Sequence, residues 1–249
     1  MAYSLFQSQA VKFAKNLAIF TACFCFFLPA NAKTVEKVSS PAKLCTYFYD
    51  FNFHDPQLKK PEVRRAIKAM IFSNLIKYEN GETNPHILPK SLQVETESYW
   101  SPAVVEPLLT QSGIRPKSPL HLNILFENQK PHNVIGRQIS RALAQSDLIR
   151  VNPQAVKKSE LIAQRNKGNY QIIRNEQCID KPDPTLFLWR FYSKSTENKN
   201  GYANPEVDKL LSKLQQQKLS KSKRQAVIRQ IVELLEQDVA ILPLYEFSK

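Results

Sequence analysis

The sequence predicts an α/β fold, a sheet packed by helices. Three observations carry this expectation. In the second half of the chain, short apolar runs of strand length take turns with amphipathic stretches of helix length, the order that lays helices on a sheet. In the helical stretches the apolar residues recur at three- and four-residue steps. No segment repeats at a fixed period and no domain-scale linker interrupts the chain, so one domain is expected after the N-terminal segment.

Residues 1–32 read as a signal peptide. Lys12 and Lys15 form a basic start without any acidic residue, an apolar run follows from Leu17 to Leu28, and Ala30-Asn31-Ala32 supplies the small residues a signal peptidase reads, so the mature chain is expected to begin near Lys33. The run is far short of the roughly 20 apolar residues a membrane span requires. A lipoprotein signal through Phe20-Thr21-Ala22-Cys23 is the alternative. A polar leader then runs to Leu44.

The aromatic stretch Cys45–Phe53 reads as a strand. Pro61 opens a helix with Glu62 in its first turn and Val63, Ala66, Ile67, Met70, Ile71 and Leu75 on its core face. Gly81–Ser101, rich in Pro, Asn and Ser, reads as a long surface loop, and Val104–Gln111 as a short helix capped by Gly113. A strand over Leu120–Phe126 is followed by a helix over Val134–Ala144, a strand near Leu148–Val151, a helix near Lys158–Arg165 and a strand over Tyr170–Arg174. Helices starting at Pro205 and spanning Ser220–Glu236 precede a last strand, Ala240–Tyr245.

Removing residues 1–32 leaves 33 basic against 22 acidic residues, a formal +11 that favours anionic surfaces or acidic ligands. The lysines are scattered and not interleaved with aromatics in one run, so nucleic acid is not the expected partner. Five widely spaced glycines form neither a phosphate-cradling loop nor a nucleophile elbow, and His54, His86, His121 and His132 show no metal-ligand spacing. An enzyme, a metal and a cofactor are therefore not expected. Cys45 and Cys178 alone remain in an oxidising compartment: either one disulfide, closing a loop of about 130 residues worth roughly 4–5 kcal/mol, or two buried thiols.

Several segments in fixed order point further. They are Tyr49-Asp50-Phe51-Asn52, Pro61–Ile67, Glu106–Gly113, Pro119–Leu125, Tyr170–Arg174, Cys178–Pro184, Asn200–Leu211 and Gln237–Tyr245. Together they resemble the second lobe of the family 5 extracellular solute-binding proteins, the oligopeptide- and dipeptide-binding components of ABC importers. The resemblance covers nearly all of residues 45–247. It implies a single lobe of the type II periplasmic-binding-protein fold over residues 45–249, with a mixed sheet flanked by helices, and a location in the periplasm.

The resemblance also implies site residues. Asp180 matches the aspartate that pairs with a peptide's α-amino group, a charge-assisted bond that is strong in a closed cleft. Arg174 matches a cleft arginine that meets the carboxylate of short peptides, and His132 and Arg165 match further positive positions that receive the C-termini of peptides of other lengths. From the bare sequence, Asp180 reads equally as a turn-former or helix cap before Pro182, and the arginines as exposed cations. Two departures stand out. Gln177 replaces a family tryptophan, and the family's first cysteine aligns with Phe48, three residues after Cys45, so the family disulfide geometry is not implied.

Full-length members have about twice this length and close two lobes on the ligand. The expectation is thus a peptide-binding-type protein reduced to one lobe, binding weakly alone or with a partner: an ABC permease or a separate first-lobe polypeptide. The alternative is a vestigial or structural envelope domain without transport activity.

Overall fold

In the computed structural model, residues 44–73, 82–94, 101–216 and 218–248 are described, and they belong to one unit that spans Ser40–Lys249. The expected signal peptide and polar leader, and the helix-face residue Leu75, lie outside the described residues.

The first strand, β1 (Leu44–Phe51), is buried along all but its first residue, which accounts for a sequence that is aromatic and apolar on both faces. It sits inside a six-stranded sheet of order β2-β6-β1-β5-β3-β4, with β2 at Glu82–Thr83, β3 at Leu120–Glu127, β4 at Ile149–Val156, β5 at Ile172–Ile179 and β6 at Ile241–Ser248. β1 runs antiparallel to β5 and β6, whereas β3 pairs in parallel with β4 and β5. The sheet is mixed, as the resemblance implied.

Helix α1 (Pro61–Ser73) starts at the proline and buries Val63, Ala66, Ile67, Met70 and Ile71. With α2 (Val105–Gln111) and α3 (His132–Leu143) it covers the sheet face that carries Tyr47, Tyr49 and Phe51. On the opposite face, α5 (Pro184–Leu188), α6 (Pro205–Gln216) and α7 (Lys221–Gln237) pack on Phe48 and Ile241, and α4 (Lys158–Lys167) seats Leu161 against Leu125, Tyr170 and Ile173. The two crossovers β3-α3-β4 and β4-α4-β5 thus place their helices on opposite faces.

Polar pins are buried between these layers. Asp50 accepts hydrogen bonds from Arg190 Nη2 at 2.7 Å and Asn175 Nδ2 at 2.6 Å. Arg64 donates to the carbonyls of Leu58, Lys59, Asp238 and Val239, tying α1 to the C-terminal end of α7. Buried groups of this kind require full pairing, and most of these donors find it.

Several boundaries differ from the sequence reading for identifiable reasons. β5 runs on to Ile179 because its ladder with β1 continues without a break from Phe51↔Ile172 to Leu44↔Ile179. β4 extends through Pro153, which an edge strand tolerates. The stretch read as a surface loop is partly internal: Ile87 and Leu88 are buried, and Asn84 Nδ2 donates to Leu88 O and Glu246 Oε2. α5, not anticipated, is started by Asp183, whose carboxylate caps the Thr185 N–H at 2.9 Å.

Gly136 of α3 lies against the ring of Phe126 so closely that a Cβ there would overlap ring carbons. Glycine in a helix ordinarily costs about 1 kcal/mol relative to alanine. Overpacking a filled core costs about 1–3 kcal/mol, so Gly136→Ala is expected to destabilise despite the gain in helix propensity. A lowered thermal midpoint by circular dichroism checks this; a raised one means that Phe126 moves aside freely.

Candidate functional site

The C-terminal end of β3, the first turn of α3 and the middle of β5 converge on Tyr47. Its ring carries Arg174 on one side, the guanidinium carbon 4.6 Å from the ring centre, and stacks with His132 at 5.7 Å between centres. Tyr245 approaches it edge-on at 5.9 Å. These residues, with Glu127, Glu176, Lys158 and Phe247, line a cleft of ≈ 260 Å³.

Arg174 is buried here and already engaged: Nη1 donates to Glu127 Oε1 at 3.0 Å and Nη2 to Glu176 Oε2 at 2.6 Å. Burial opposes its charge, but Tyr47 and the two carboxylates hold its pKa above the ordinary arginine value. Burial pushes the Tyr47 hydroxyl up to about 12, so it stays protonated.

His132 differs from its expected placement. It opens α3 instead of lying in a loop, because the helix begins directly after Pro131. Burial, and next the neighbouring Arg174, hold its imidazole below the usual histidine range. At neutral pH its imidazole is therefore uncharged.

Arg165 lies elsewhere. It follows Leu161 by four residues on α4, the helix on the opposite sheet face, and its pKa is lowered by burial, with Asp50 as the leading electrostatic influence in the other direction. Asp180 is exposed and follows the last residue of β5 directly. Helix capping falls to Asp183 and not to Asp180, while Gln177 Nε2 donates to Leu186 O at 3.3 Å. The structure thus joins His132 with Arg174, puts Asp180 just beyond the end of the same strand, and sets Arg165 apart.

Cys45 and Cys178 form a disulfide between directly opposed residues of β1 and β5. The ladder places position 48 opposite Asn175, so Cys45, not a cysteine at 48, is in register with Cys178.

The sequence reading missed Tyr47, Glu127, Glu176, Lys158, Tyr245 and Phe247 as cleft residues. Glu176 was within reach, since it stands two residues from Arg174 on the same side of a strand. Glu127 was not, because its approach to Arg174 depends on the parallel pairing of β3 with β5.

The sheet is mixed, carries helices on both faces and opens a charged aromatic cleft at Tyr47. The family profile of bacterial extracellular solute-binding proteins, family 5 Middle, matches residues 26–199, and the chain belongs to that family. It is 38% identical over 226 residues to a Haemophilus influenzae chain named only as a binding protein, covering 90% of this chain and 44% of that one. It is 26% identical over 231 residues to the periplasmic oligopeptide-binding protein OppA of Escherichia coli, covering 85% and 41%. The unliganded open form of the periplasmic murein tripeptide-binding protein MppA superposes with a TM-score of 0.76 at 23% identity, over 85% of this chain and 43% of that one. The chain spans less than half the length of each of these relatives. No helix among the described residues is long and apolar enough to cross a membrane.

Proposed function

We propose that this chain supplies one wall of a peptide-binding cleft in the periplasm, with the ligand's amino end at Asp180 and its chain running along β5 towards the Arg174–His132 cleft. The observation that carries this reading is that Arg174 lies within β5 and Asp180 directly follows the last residue of the same strand. Six residues at about 3.3 Å each set their backbones about 20 Å apart, the span of an extended peptide of roughly five or six residues. The names of the relatives, oligopeptide- and murein peptide-binding, support a peptide as the ligand. The disulfide and the N-terminal signal-like segment support export. The partner that this reading calls for is an ABC permease or a polypeptide forming the opposite wall.

Titration calorimetry with a pentapeptide and its N-acetylated form tests the assignment. An ion pair at Asp180 in a closed cleft predicts a loss of about tenfold or more on acetylation, and the same loss in Asp180→Asn. An open surface pair is worth at most about 1 kcal/mol, or about fivefold. Equal binding of both peptides overturns the role of Asp180, and no binding of either favours the second reading.

That second reading, a vestigial or structural envelope domain, draws on one specific observation. Arg174, the expected receiver of a carboxylate, is already shared between Glu127 and Glu176.

A further inference from the structure

Two side chains in the Tyr47 cleft leave hydrogen-bonding atoms unused. Glu127 is 2% exposed and Arg174 5% exposed, yet Glu127 Oε2 and Arg174 Nε have no hydrogen-bond partner in the protein. One is an acceptor and the other a donor, on two side chains that bond to each other through Glu127 Oε1 and Arg174 Nη1. A buried polar atom left unpaired costs about 1–3 kcal/mol, so such a pair is a standing demand for a complementary group.

The chemistry of that group follows from the sign of each demand. A carboxylate offers only acceptors and leaves Glu127 Oε2 facing another oxygen. An ammonium offers only donors and leaves the Arg174 N–H unmet. A carboxamide carries an N–H donor and a carbonyl acceptor in one plane. The charges around the cleft agree: Arg174 and Lys158 balance Glu127 and Glu176, and His132 is uncharged at neutral pH, so neither ion is favoured. The flat aromatic walls of Tyr47 and His132 suit a planar group, and ≈ 260 Å³ exceeds what one water fills.

We infer that this cleft binds a neutral carboxamide, with its N–H directed to Glu127 Oε2 and its carbonyl to Arg174 Nε. The inference deepens the peptide-binding reading by naming the group taken at the far end of β5, and it rests on that reading only for the amide being part of a peptide.

The test uses the folded, oxidised chain with acetamide and acetate as probes at pH 8, followed through the NMR ring resonances of His132. Acetamide is expected to shift them saturably and to bind at least about tenfold more tightly than acetate. Acetate binding equally well overturns the inference, as does the absence of any saturable shift, which leaves the two atoms to water only. Glu127→Gln, which replaces one acceptor by a donor, is expected to remove the acetamide response; where that variant fails to fold, the comparison of probes on the unaltered chain decides. A saturable acetamide shift without any peptide binding in calorimetry overturns the peptide reading and leaves the amide site standing. Peptide pairs then separate the sources: Gln against Met at one position for a side-chain amide, and carboxamide against carboxylate at the C-terminus for a terminal one.

Discussion

Replacing Lys68 by methionine is expected to cost about 3–5 kcal/mol of folding stability at pH 7, the usual cost of stranding one member of a buried ion pair. Lys68 is fully buried on α1, and its Nζ donates to Glu236 Oε2 of α7 at 2.7 Å. The other carboxylate oxygen, Oε1, accepts the Ile87 N–H at 2.9 Å. One carboxylate therefore fastens α1, α7 and the segment after β2 together. The double change Lys68→Met with Glu236→Leu removes both charges, takes the carboxylate from the Ile87 N–H at about 1–3 kcal/mol and from the half-buried His86 3.7 Å away, and is expected to be more stable than the single one. Urea titrations of the three proteins check the order.

Acid changes this comparison in a defined direction. Burial raises the pKa of Glu236, but Lys68, His86 and the Ile87 N–H outweigh it and hold the carboxyl below its ordinary value of 4.5. Below 4.5 the unfolded chain binds this proton first, so the stability Glu236 contributes is complete above 4.5 and is lost as pH falls through the lowered folded value. In Lys68→Met the carboxyl keeps its burial and loses its counter-charge, so acid relieves it. The gap between the two proteins should therefore be narrower at pH 4 than at pH 7; a gap independent of pH means that the pair is not ionised in the folded protein.

The parts of the fold that were legible in the sequence are those whose signals are local. Pro61 with Glu62 marks the start of α1, Ser220 caps α7 through the Lys223 N–H, and Gly113 adopts a φ of 87° beyond α2 as only glycine does cheaply. The ends of β5 were not legible, since Glu176 and Gln177 look like loop residues until β1 pairs with them. The same holds for the loop after β2, whose Asn84 and Ile87 are fixed by residues some 150 positions away.

The candidate site divides along the same line. Arg174 and Asp180 could be named as candidates from segments resembling a family, because each lies inside a short motif, in β5 and directly after it. What surrounds Arg174 could not, since Tyr47, Glu127 and Tyr245 arrive from three other strands. This difference alters the chemistry: an arginine that reads as an exposed cation from the bare sequence is buried and shared by two carboxylates.

Removing the disulfide, by Cys45→Ala with Cys178→Ala or by reductant, is expected to cost about 5 kcal/mol, the loop-closure entropy of a link across a separation of 133 residues. For about 200 ordered residues, 1 kcal/mol moves the thermal midpoint by about 2–4 °C, so a fall of about 10–20 °C is expected. Secondary structure should persist at low temperature, because β1 is held on both sides by ladders to β5 and β6. The effect on the site should be uneven. Cys178 stands two residues before Asp180 and four after Arg174, and Arg174 is further fixed by Glu127, Glu176 and Tyr47. Loss of the link should therefore loosen Asp180 more than the cleft, and amide exchange near Asp180 should rise while exchange near Arg174 stays slow. A midpoint unchanged by reductant would show that the link contributes nothing to folding. Equal loosening at both positions would show that the strand, and not its individual side-chain contacts, holds the cleft in place.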